Sequence, residues 1–62
     1  MTTREVEKRL RKDGWYEVRQ TGGHRHFKHD DKPGIVTVPV HPGDIRIGTL
    51  RDIYQQAGWG KP

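Results

Sequence analysis

Cysteine is absent from the 62 residues, which removes disulfides, thiolate zinc sites and cysteine nucleophiles together. Long apolar runs are missing as well. No stretch approaches the roughly 20 residues of a membrane span, and the opening segment MTTREVEKRL is charged, without the apolar h-region of a signal peptide. The chain therefore reads as cytoplasmic, with no membrane partner. Apolar residues are also scarce, 29% against 32% charged. A domain of about 60 residues buries only about 60% of the surface its unfolded chain exposes. Residues 1–62 thus read as a single domain whose thin core rests on Trp15, Tyr16, Phe27, Tyr54, Trp59 and the aliphatics between them. Such a core leaves no room for an enclosed pocket, so a site must lie on an open surface, which suits a polymer better than a small buried metabolite.

What the chain has in excess is positive charge. The net charge is +4, and residues 1–32 carry nine Lys/Arg against six Asp/Glu, while residues 33–62 carry three against two. A basic field of this kind steers polyanions, nucleic acid foremost.

Thr2 followed by Glu5 fits a capping box, and a helix runs from there to about Lys12. Val6 and Leu10 form its narrow buried stripe, and Gly14 supplies the left-handed residue after its end. Trp15 to Gln20 alternates with a two-residue period, and Gly22-Gly23 marks a turn, so a first strand and a hairpin are predicted. His24 to His29 alternates too, with Arg25, Phe27 and His29 on one face and His24, His26 and Lys28 on the other. DDKPG is a loop by composition, and IVTVPV, Ile35 to Val40, is the most strand-like run; Pro39 belongs at an edge or strand end. From Ile45 the apolar spacing turns helical through Ala57, with Thr49 and Asp52 placed for a second capping box and Gly58 as the stop. The class is α+β: helix, three-stranded antiparallel meander, helix, with both helices on one face of the sheet and the other face wet.

Three of the four histidines stand within six positions, in TGGHRHFKHDD. If Phe27 and the valines 36, 38 and 40 point to the core, His24 and His26 share the exposed face, about 6.6 Å apart along the strand, with Lys28 continuing the row. Three explanations stay open. Histidine can serve simply as a polar strand residue. His24 and His26 could chelate zinc with His29 or His41, although no thiolate or flanking carboxylate supports a strong zinc signature. Third, the segment could cleave RNA without a metal. RNA carries its own nucleophile in the ribose 2′-OH, so imidazoles and cations suffice to move the protons and hold the charge on phosphorus.

The ordered set Gly14-Trp15, Arg19-Gln20-Thr21-Gly22-Gly23-His24, Phe27-Lys28-His29, Thr37-Val38-Pro39 with His41, Gly48-Thr49-Leu50-Arg51 and Gln56-Ala57-Gly58 resembles the HicA family of toxins, the mRNA interferases of type II toxin–antitoxin modules. The likeness covers nearly the whole chain. It implies a double-stranded-RNA-binding-domain-like fold and a ribosome-independent, metal-independent endoribonuclease that needs no cofactor. It also implies a HicB-type antitoxin covering the active face, and mRNA as substrate. The family's catalytic histidine, from a Gly-Ser-His motif, corresponds to His24, with Gly23 standing where the family has serine. Gly22 and Gly23 would let the RNA backbone approach closely, and Arg25, His26 and Lys28 are the candidates for phosphate contacts. Two other classes compete: a non-catalytic RNA-binding module of the same fold, and an interaction protein whose basic surface meets an acidic partner.

Overall fold

In the computed structural model, which describes residues 1–62, Thr2 opens the first element. Its hydroxyl accepts the Glu5 N–H at 3.2 Å and the Glu5 carboxylate accepts the Thr2 N–H at 2.9 Å, the reciprocal box that satisfies two orphan amides. Helix α1 (Thr3–Lys12) follows. Its buried stripe is wider than Val6 and Leu10 alone: Thr3 and Glu7 are buried beside them. At the far end, Trp15 N–H reaches the Leu10 carbonyl (2.9 Å) and Gly14 N–H the Arg11 carbonyl (3.1 Å), a Schellman ending that needs the φ of +97° at Gly14. A Cβ there would also stand 2.8 Å from the His29 ring.

Strands β1 (Tyr16–Thr21), β2 (His24–Lys28) and β3 (Val36–Pro39) form one antiparallel sheet in that order. Trp15 does not join β1 as the alternation suggested. The Schellman turn carries it into the core at 2% exposure, and the strand starts one residue later. Gly22 alone of the hairpin pair has positive φ, +56°, the pattern of a type II′ turn. A bulge interrupts β1, where pairing jumps from Glu17 opposite Phe27 to Arg19 opposite His26.

Helix α2 (Ile47–Ala57) completes the order, consistent with a double-stranded-RNA-binding-domain-like fold. The second capping box does not form. The helix begins with Arg46 in the N-cap position and no side chain on its first amides. The chain just upstream is pinned by tertiary contacts, Ile45 N–H on the Met1 carbonyl at 2.8 Å and a bridge between Thr2 and Asp44, so the helix starts where that tie releases it. Leu50, Ile53, Tyr54 and Ala57 turn inward to meet Val6 and Leu10 of α1 and Phe27, Val36 and Val38 of the sheet in one core cluster.

Both helices end in Gly-Trp, and both indoles converge on one carboxylate. Asp13 Oδ2 accepts from Lys32 Nζ (2.7 Å), Trp59 Nε1 (3.0 Å) and Trp15 Nε1 (3.2 Å). The bond from Lys32 first, then that from Trp59, pull the Asp13 carboxyl down from 3.8 to about 2. A carboxylate depressed on folding contributes stability above its unfolded pKa and loses it as pH falls through the folded one. The Asp13 contribution is therefore full above about pH 4 and fades toward pH 2. Melting wild-type and Asp13→Asn proteins between about pH 6 and pH 2.5 should show the Tm gap between them closing with acid. A gap constant over the range would mean that the charge of Asp13 stabilises nothing.

Candidate active site

Residues directly opposed in a sheet share a face, so the register sorts the side chains. Tyr16, Arg19 and Thr21 of β1, His24, His26 and Lys28 of β2, and Thr37 and Pro39 of β3 lie on the wet face. Arg25 and Phe27, with Val36 and Val38, lie on the face that the helices cover. Of the residues singled out from the sequence, the hairpin and this face therefore gather Gly22, Gly23, His24, His26 and Lys28. Arg25 is on the other side.

The four histidines divide by their partners. His29 accepts the Asp31 N–H on Nδ1 (2.9 Å) and donates from Nε2 to the Asp13 carbonyl (2.7 Å), its ring edge-on to Trp15. Both nitrogens are used, and the ring is a strut between the end of α1 and the loop after β2. His26 is half-buried with Nδ1 at 3.2 Å from the Thr37 hydroxyl. His41 is exposed and holds the Pro42 carbonyl through Nδ1 at 2.8 Å. His24 alone is exposed with no hydrogen bond from its ring to the rest of the chain, at the first position of β2 after the glycine turn. No three His, Asp or Glu side chains come close enough together to hold a metal ion.

His24 opens on a polar cleft of about 470 Å³. Its floor is Thr37 and Pro39, one end is His41, Asp44 and Arg46, and its far wall is Thr49, Asp52 and Gln56 of α2. Those last three recur at helical spacing along one flank of the buried stripe, and Gln56 accepts the Thr37 N–H at 3.0 Å. The cleft exists because α2 runs along the outer edge of β3 and lifts its polar stripe to the level of the wet face. A larger hollow of about 670 Å³ lies elsewhere, lined by Arg51, Gln55, Gly58, Gly60, Lys61 and Pro62. It is lined by no histidine and no acidic side chain. A third hollow, of about 600 Å³ on the α1 side, has His41 with Glu7, Arg11 and Arg25 in its lining, so His41 borders two hollows while His24 borders only the cleft beside α2.

Positive charge surrounds this region. The ion pairs of the chain engage Arg11, Arg25 and Lys32, leaving Arg19 and Lys28 on the sheet face and Arg46 in the cleft available to an anion. Arg19 escaped the sequence reading for a physical reason. Strict alternation from Trp15 puts it with Glu17 on the covered side, and the bulge at Val18, which no glycine announces, turns it over beside His26. The convergence of His41, Arg46 and Asp52 was equally hidden, because it depends on where α2 docks.

Arg25 has a structural employment. Its Nη1 stands 2.8 Å from Oε1 of Glu7, a side chain only 6% exposed whose Oε2 has no partner. Arg11 reaches the same carboxylate only at 3.9 Å. Removing one partner of a buried pair costs about 3–5 kcal/mol. The Arg25 side chain is 31% exposed, which sets the loss near the low end, still a large share of the roughly 3–9 kcal/mol a chain of this length holds. Urea denaturation should show Arg25→Ala losing about 3 kcal/mol and Lys28→Ala less than about 0.5. Small and equal losses would instead make Arg25 another surface cation.

Comparison with known families finds a match to the family described as "HicA toxin of bacterial toxin-antitoxin" over residues 3–59. The chain belongs to the HicA toxin family, and membership carries a toxin role and an antitoxin partner. No curated protein matches the chain. No helix is long and apolar enough to cross a membrane.

Proposed function

We propose that this HicA-family chain is a cytoplasmic endoribonuclease that cleaves mRNA without a metal and independently of the ribosome, with His24 as its catalytic imidazole. The observation that carries this reading is the state of His24: exposed, unengaged, and opening on a polar cleft beside unpaired cations. In RNA cleavage the 2′-OH attacks its own phosphate, so the protein must take that proton, protonate the departing 5′-oxygen and offset the charge on phosphorus. Lys28, His26 and Arg19 stand along the face that the strand would cross. Gly22 and Gly23 have nothing within 4 Å of where a Cβ would stand, which leaves the backbone of the turn open to RNA.

Where the family motif has serine, Gly23 supplies no hydroxyl. Position 23 has neither a positive φ nor a crowded Cβ site, so Gly23→Ser fits without strain and should leave folding unchanged while adding a donor beside His24.

His24→Ala should abolish cleavage of RNA by the purified chain and growth inhibition in cells, with a stability change below about 0.5 kcal/mol. Wild-type cleavage should persist in EDTA. Full activity in His24→Ala removes His24 from the mechanism, and loss in chelator with recovery on zinc overturns the metal-free reading. RNA binding without any cleavage would make the chain a binding module of the same fold.

The antitoxin, of HicB type on this reading, silences the site by covering it, since a polyanion-binding surface meets a carboxylate-bearing partner through complementary charge. RNA affinity should fall with salt at a slope near −0.7 per phosphate contact, and Arg19→Ala and Lys28→Ala should each flatten that slope by up to about one contact. Antitoxin at saturation should displace RNA; a ternary complex with uncleaved RNA would show that inhibition works elsewhere.

A further inference from the structure

We infer that His41 is the second catalytic imidazole, the general acid that completes the cleavage His24 begins, an inference that rests on the RNA-cleaving reading above.

Pro39 is the residue opposite His24 in the sheet register. The Val40 N–H continues the pairing by donating to the Gly23 carbonyl at 2.7 Å, so the chain is still laid along the hairpin when it reaches His41. Two residues beyond Pro39 and just past the end of β3, His41 continues the parity of the face that carries His24, at the diagonal position to it. Sheet geometry separates such diagonal neighbours by about 7–8 Å between Cα atoms, close enough for two imidazoles to flank one phosphate. Both residues line the same cleft, with Arg46 at the start of α2; His41 sits where that cleft meets the hollow on the α1 side.

The Pro42 carbonyl can only accept, so the bond at 2.8 Å keeps a proton on His41 Nδ1. The proton that His41 exchanges is then the one on Nε2, and the ring is oriented before substrate arrives. Of the side-chain types that line the cleft, only imidazole holds an exchangeable proton near neutral pH. Carboxylic acids exposed to water lose theirs well below it, and a guanidinium keeps its own well above it. His29 is fully engaged elsewhere, and His26 does not reach the cleft.

The step balances as follows. His24 removes the 2′-OH proton, the 2′-oxygen forms a bond to phosphorus, and the bond from phosphorus to the 5′-oxygen breaks. His41 Nε2 delivers its proton to that departing oxygen. The products are a 2′,3′-cyclic phosphate and a 5′-hydroxyl, and proton exchange with water resets both rings. Arg46 is placed to hold the non-bridging oxygens.

A leaving group that needs no proton separates the two roles. The purified full chain is assayed on an RNA oligonucleotide and on a ribonucleoside 3′-(para-nitrophenyl phosphate), whose nitrophenolate departs unassisted. We expect His41→Ala to lose on the order of 10²-fold or more in kcat on RNA, the usual scale of general acid catalysis, and to keep the nitrophenyl ester within several-fold. His24→Ala should lose both. His41→Asn, which retains a donor for the Pro42 carbonyl and lacks Nε2, should behave as His41→Ala does and melt like wild type. Wild-type rates on RNA in either His41 variant, or equal losses on both substrates in the folded His41→Asn protein, overturn the assignment while leaving His24 in place. A wild-type chain that cleaves neither substrate, or a fully active His24→Ala, sinks the RNA-cleaving reading itself and the role of His41 with it.

Discussion

One carboxylate oxygen ties the ends of the molecule together. Asp13 Oδ2 takes the indole N–H of Trp15 from the turn that ends α1, that of Trp59 from the turn that ends α2, and the ammonium of Lys32 from the loop between β2 and β3. Around it Arg9 stacks on Trp59 at 4.2 Å and donates to the Tyr54 hydroxyl at 3.0 Å. Lys32 also bonds the Ala57 carbonyl at the end of α2. The two helices meet the sheet in one core of 11 buried apolar residues. The polar knot adds a second, directional tie at their C-terminal ends, and core and knot together hold the position of everything α2 carries.

That position decides where the site lies. The outer edge of β3 is closed by side chains from both helices: Gln56 takes the Thr37 N–H, Thr3 donates to the Pro39 carbonyl at 2.6 Å, and Pro39 has no N–H to offer. Sealing the edge brings Thr49, Asp52 and Gln56 alongside the strand and turns a flat sheet face into a walled cleft with His24 on its rim. The opposite edge is left alone. All six residues of β1 are exposed, since both helices pack on β3, and β1 is guarded only by its bulge and its charges.

The boundary signals in the sequence were local and strong, which is why most of the fold could be read there. Thr2 and Glu5 sit three apart before an apolar pair, and Gly14 and Gly58 fall at the only left-handed helix endings. Phe27, Val36 and Val38 alternate toward the core as their parity required. Tyr16, expected in the core, is instead 45% exposed on the wet face, where its hydroxyl donates to Asp30. Two other misreadings share one cause, a tertiary tie outranking a local preference. Thr49 and Asp52 look like a cap, yet the anchor at Ile45 starts the helix before them. Trp15 looks like a strand residue, yet the turn after Gly14 sends it inward. Within the candidate site, the placement of His24, His26 and Lys28 followed from alternation. Arg19 and the α2 wall did not, because a bulge and a helix docking leave no periodic trace. Arg25 was legible in its parity, and its partner Glu7 was not, since a buried acid on a basic helix carries no signal of its own.

The crowding of histidines after Gly22-Gly23 resolves into a division of labour. His29 braces the loop, His26 ties β2 to Thr37, and the His24 ring is left without a partner inside the chain. A chain this small cannot enclose a substrate or exclude water from it, and the cleft is open to solvent along the sheet face. The reaction proposed suits that limit, because RNA brings its nucleophile within the same molecule and fixes its geometry by covalent connection. Proximity, the part of catalysis that a larger enzyme supplies by enclosure, comes here with the substrate. On that reading the protein has only to place two proton carriers and a few cations, His24 at the end of the hairpin and His41 in the connection between β3 and α2. On the same reading, the antitoxin partner that family membership carries has an open surface to cover and no enclosed pocket to enter.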